Sequence, residues 1–148
     1  MRAVSFLVTA AVALWAGLAA AQEDAATAAA EVVAGNGLRV DVPSGQEVTW
    51  QDVIWNVPGP DGMVMRFRFI APGIADGGGV DFDTASADMQ HLCDRFAVPR
   101  LPEFGVEAQQ VVISLSAAAV EFGTAAPDVV QFFESYSVVD GACQWEVF

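Results

Sequence analysis

"DTASADMQHLCDRFAVP", Asp83 to Pro99, is the stretch on which the fold turns. Placing successive residues 100° apart puts Ala85, Met89, Leu92, Cys93 and Phe96 on one face. Asp88, Gln90, His91, Asp94 and Arg95 fall on the other. The pattern predicts an amphipathic helix over 84–97. Asp83 or Thr84 caps its start, because a short side-chain oxygen accepts the free N–H groups of the first turn. Val98-Pro99 ends it, because a residue before proline is pushed out of the helical region. An apolar stripe must be covered by another layer, and the flanking sequence supplies strands.

The clearest strand is "MVMRFRFI", Met63 to Ile70. Met63, Met65, Phe67 and Phe69 alternate there with Val64, Arg66, Arg68 and Ile70. The segment before it, from Val42, reads as extended, with Val53, Trp55 and Val57 on one face and Asp61-Gly62 as a hairpin turn. Beyond the helix, "QQVVISLS" places Val111, Ile113 and Leu115 on one face, and "AVEFG" reads as a short strand. "VVQFFESYSVV" fits helical spacing at Val129, Phe132, Phe133 and Tyr136. Its β-branched and aromatic content, and the Asp140-Gly141 turn that follows, favour a strand.

With Asp140-Gly141 as a two-residue turn, Val139 faces Ala142, Val138 faces Cys143 and Tyr136 faces Trp145. Val138, Cys143, Tyr136, Trp145 and Val147 then share the face that the helix covers. The expected fold is α+β: an antiparallel sheet of four to five strands with one amphipathic helix on one face, in the order ββαβββ.

Residues 1–21 read as a secretory signal peptide: a basic start at Arg2, an uncharged apolar run, and small residues before Gln22. Residues 22–37 are Ala-rich and read as a linker ending at Gly35-Asn36-Gly37, and 38–148 as a single domain. The expected location is therefore periplasmic or secreted. All nineteen acidic residues follow position 21, against five arginines and no lysine, leaving −14 on the exported chain. Such a charge repels nucleic acid and anionic lipid, and it suits solubility or a basic partner.

The letters that carry chemistry are sparse. His91 is the single histidine, so the usual zinc sets and triads are incomplete. It lies two positions from Cys93, nearly opposite on the helix, while Asp88 and His91 are neighbours on the solvated face. Cys93 and Cys143 form an even count in an exported chain and read as a disulfide. Their two apolar faces meet, which brings the Cα atoms within the ~5.5–6 Å that a bridge needs. "DGGGVDFD" breaks the glycine-rich calcium repeat at Val80 and fails the EF-hand spacing. Trp55, Arg66 and Arg68 lie on the first hairpin and make a candidate partner face.

The blocks "VDFDTASADMQHLC", "VVISLS", "VEFG", "QFFESY" and "DGACQWEVF" occur in one order. In them the chain resembles a family of short exported alphaproteobacterial proteins of unknown function. The resemblance covers 42–148 and implies no established activity. Some members carry the label acetolactate synthase. This sequence does not support it: "GPDG" breaks the Gly-Asp-Gly motif of thiamine-diphosphate enzymes, and the chain is several times too short. The expected function is a non-enzymatic periplasmic domain that binds a protein or envelope partner, with no catalytic residue, cofactor or metal assigned. The alternative is a small carboxylate-dependent hydrolase, or a weak calcium module, on the Asp76–Asp88 loop through Asp81, Asp83 and Asp88.

Overall fold

The computed structural model describes residues 30–147, Val106 apart, so the signal-peptide reading of 1–21 lies outside the described residues. Six strands form one sheet in the order β1-β2-β3-β4-β5-β6. They are β1 (Glu31–Arg39), β2 (Thr49–Gly59), β3 (Gly62–Ile70), β4 (Gln110–Ser116), β5 (Gln131–Val139) and β6 (Ala142–Trp145). A helical layer between β3 and β4 covers one face, led by α1 (Phe82–Leu92). The architecture is α+β, with two differences from the expectation.

The first difference is direction. β3 and β4 pair in parallel, from Val64↔Gln110 to Ile70↔Ser116, while every other pair is antiparallel. The sheet is therefore mixed. A parallel pair needs a long crossover, and the helical layer is that crossover. Alternation along a strand shows which residues share a face but not which way the neighbouring strand runs.

The second difference is β1, which makes the strands six in number and the order βββαβββ. Residues 31–37, read as linker, belong to it. The segment has low strand propensity and is recruited by pairing to β2, interrupted by a bulge between Ala34 and Leu38. Asn36 (φ 55°) and Gly37 (φ 68°) turn the bulge. Gly35 lies flat against Trp50: a Cβ there would sit 2.5 Å from the Trp50 carbonyl oxygen and 2.6 Å from its ring. Gly35→Ala is therefore expected to lower stability by about 1–3 kcal/mol through overpacking. Urea unfolding checks this, and a change within ~0.5 kcal/mol would show that β1 is not pinned there. "AVEFG" forms no strand; Val120 and Phe122 belong instead to the loop between β4 and β5.

The core lies between the sheet and α1. The apolar stripe is buried as the helical wheel placed it: Ala85, Met89, Leu92, Cys93 and Phe96 are all 5% exposed or less. It meets Met65, Phe67 and Phe69 of β3, Val111, Ile113 and Leu115 of β4, and Tyr136 of β5. Phe96 sits at its centre, with Trp50 at 5.1 Å and Phe69 at 5.4 Å, both edge-on.

Asp81, rather than Asp83 or Thr84, caps α1 by accepting from the Thr84 N–H at 2.9 Å. That bond holds the Asp81 carboxyl below the usual carboxylate range. Val98-Pro99 does not stop the helix. Cys93–Ala97 widens into a π-helical turn, in which the Val98 N–H donates to the Cys93 carbonyl, and Val98–Arg100 continues as helix. Widening the turn accommodates a proline that has no N–H to return. The helical run ends past Leu101–Phe104 at Gly105, in the left-handed conformation.

Candidate functional site

The side chains on which the sequence reading dwelt are dispersed by the fold. Cys93 and Cys143 are bonded, with Cα atoms 6.1 Å apart. The β5–β6 register that placed them holds residue for residue: Tyr136↔Trp145, Val138↔Cys143 and Val139↔Ala142. Two carbonyl and amide contacts reinforce the junction. Asp94 accepts from the Cys143 N–H at 2.8 Å, and the Gln90 side-chain amide donates to the Cys143 carbonyl at 3.1 Å.

Asp88 corrects the helical wheel. It is fully buried, and its carboxylate accepts from the Ser44 N–H (2.9 Å), the Ser44 hydroxyl (2.5 Å) and the Gln46 side-chain amide (2.7 Å). It is a clasp for the β1–β2 connection and not a solvated partner of His91. The segment around Ser44 folds over that edge of the helix, which a wheel drawn for the helix alone does not show.

The aspartates of the Asp76–Asp88 loop do not converge. Asp81 caps the helix, Asp76 and Asp83 face solvent, and Asp88 is turned inward on Ser44 and Gln46. Among the described residues there is no group of three or more His, Cys, Asp or Glu placed to hold a metal ion.

The Trp55–Arg66–Arg68 face divides into two. β2 carries register shifts between Trp50 and Asp52 and between Ile54 and Val57. Each extra residue flips the side-chain parity. Trp55 therefore packs on the helix side, 6.0 Å from Phe104, as Trp50 does against Phe67. Arg66 and Arg68 stay on the opposite face, and Val57 joins them there rather than Val53. Arg68 forks onto Asp52 through Nε (2.7 Å) and NH2 (2.5 Å). It also donates to the Val120 carbonyl at 3.0 Å and lies over the Phe122 ring.

Sequence reasoning missed the outer edge of β5. Trp145 and Val147 were expected under the helix, yet they are 57% and 76% exposed. The helical layer is one helix wide: α1 lies over β4 and β5, and β6 is reached only around Cys143, by the π turn and by the Gln90 side chain. Past Cys143 nothing covers the edge strand. Phe133, on the reverse side of β5, is 61% exposed. Together with Phe82, Glu134 and Glu146 these residues line a cleft of about 360 Å³ that wraps the sheet edge. β6 pairs with β5 only from Tyr136 to Val139, and the Glu146 N–H adds one bond to the Ser135 carbonyl.

Beneath this cleft is a buried polar cluster. Glu134, 6% exposed, accepts from the Ser86 hydroxyl at 2.6 Å and the Tyr136 hydroxyl at 2.5 Å. Burial first, and then the bond to Glu134, hold the Tyr136 hydroxyl protonated far above the usual phenol range. Both Glu134 oxygens are occupied by donors of the chain itself, so the cluster ties α1 to β5. A sequence signal existed for the exposed edge. A four-residue terminal strand alternating into Trp145 and Val147 carries more apolar surface than one helix can reach.

A family model described as a family of unknown function (DUF6497) matches residues 13–148, and the chain belongs to that family. No curated protein and no solved structure matches it significantly. No helix among the described residues is long and apolar enough to cross a membrane.

Proposed function

We propose that this member of the family of unknown function is an exported, non-catalytic domain that holds a basic protein partner against the C-terminal edge of its sheet. The observation that carries the reading is the exposure of Phe133, Trp145 and Val147 around one cleft. Large apolar side chains gathered beside an open strand edge are the usual signature of a docking surface. An extended segment of the partner adds along such an edge through main-chain bonds, and alternate side chains enter the flanking cleft.

The charge sets the character of the partner. With −14 on the exported chain and Glu134 and Glu146 lining the cleft, a basic segment is steered in and an acidic one is repelled. The disulfide and the apolar run ahead of Gln22 support export. A photo-crosslinking residue placed at Phe133 in producing cells tests the proposal, with the same residue at exposed Glu47 as control. The expected result is one discrete adduct from position 133, lost with Trp145→Glu. Equal adducts from both positions, or none from position 133, would reject a docking edge.

A further inference from the structure

On the sheet face turned away from the helix, Ile54, Val57, Val64, Arg66 and Phe122 line an open cleft of about 150 Å³. Four of the five walls are apolar, and the fifth is a guanidinium. Its neighbour in the row, Arg68, is fully engaged by Asp52, the Val120 carbonyl and the Phe122 ring. Arg66 makes no side-chain hydrogen bond and no ion pair among the described residues. The chain carries nineteen carboxylates, yet Arg68 takes the one in this row, Asp52, and leaves none for Arg66.

We infer that this cleft binds a small branched monocarboxylate, with Arg66 as the anion-binding residue. A guanidinium presents parallel N–H donors in a plane, which matches the two oxygens of a carboxylate. The space holds on the order of five water-sized groups. That accommodates a short branched acid and is too small for a long acyl chain or a ring system with substituents. Apolar walls disfavour phosphate and sulfate, which would lose hydration with no donors to replace it beyond one arginine.

The site is built in advance. The roof, the Val120–Phe122 segment, is fixed because the Gln51 side-chain amide (2.7 Å) and Arg68 (3.0 Å) both donate to the Val120 carbonyl. The electrostatics point the same way. Arg66 is solvent-exposed at the mouth of the cleft; the apolar walls along its stem, and then the charge of Arg68, work against its cation and lower its pKa. A bound anion offsets both effects. This inference is independent of the docking edge, which lies at the other end of the sheet order.

The test is an NMR titration of the disulfide-bonded protein, labelled at its Ile and Val methyls, with isovalerate and separately with its neutral isostere isovaleramide at constant ionic strength. The expected result is saturable shifts at Ile54, Val57 and Val64 with the acid. Binding of the amide should be weaker by about tenfold or more, the usual worth of a charged hydrogen bond. Arg66→Gln should lose the acid by a similar factor, and Trp145→Ala should keep it. The acid–amide comparison stands whether or not the Arg66 variant folds. Absence of saturable shifts up to about 10 mM, the weak end of specific binding, would overturn the inference. So would an amide that binds as well as the acid, or shifts confined to other residues.

Discussion

Replacing both cysteines, Cys93→Ala with Cys143→Ala, is expected to lower the unfolding free energy by about 4 kcal/mol. The bridge closes a loop across a sequence separation of 50 residues. In the chain-entropy description a cross-link of that span removes about 4 kcal/mol of freedom from the unfolded chain. The native side adds a second contribution. β6 is four residues long and lies at the sheet edge, where a short strand has little of its own to hold it. Without the sulfur bridge, the helical layer and β6 are joined by Asp94 of the π turn and Gln90 of α1 at the Cys143 backbone. Small domains have total stabilities of roughly 5–15 kcal/mol, so the loss is a large share. Urea unfolding of the bonded protein and the double variant measures it. The variant should also show a larger denaturant slope, because its unfolded chain is more open. A loss below about 1 kcal/mol would mean that the bridge is incidental to the fold.

That bridge was legible in the sequence because every step to it was local. Asp140-Gly141 fixes a two-residue turn, with both residues at positive φ (51° and 74°), and the turn fixes the register. Helical periodicity alone put Cys93 on the apolar stripe. What stayed hidden depended on long-range partners. β1 has little strand character, and its place is set by β2 and by the surface of Trp50. Asp88 sits on the polar side of its helix and is buried by the Ser44–Gln46 segment, more than forty positions earlier in the chain. Trp55 was grouped with Arg66 and Arg68 because all three lie on the first hairpin. The register shift between Ile54 and Val57 leaves Trp55 with Val53 on the helix side and turns Val57 to the arginines, and nothing in the residue types marks where a bulge falls. The candidate docking edge was hidden for the converse reason. Alternation gives the face of Trp145 correctly but not how far one helix extends across it.

Arg68→Met is expected to destabilise the protein by about 3–5 kcal/mol, the cost of leaving a buried ion without its partner. Asp52 is 7% exposed and opposes Arg68 directly across β2 and β3. Nε and NH2 of Arg68 donate to both of its carboxylate oxygens, a planar fork that a monopolar ammonium cannot reproduce. Removing the arginine leaves a carboxylate held in low dielectric by little beyond a long contact, 3.4 Å, from the Gln51 amide. It also takes one of the two donors from the Val120 carbonyl and the cation from the Phe122 ring, so the β4–β5 loop loosens over this face. If the orphaned charge dominates, Asp52→Leu combined with Arg68→Met should recover most of the loss, since an apolar pair of similar volume is often neutral or better. If the loop contacts dominate, the double variant should stay as unstable as the single one. Urea unfolding of the wild type, the single variant and the double variant separates the two outcomes. A single variant within about 1 kcal/mol of wild type would show that water reaches Asp52 and that the pair is a surface feature.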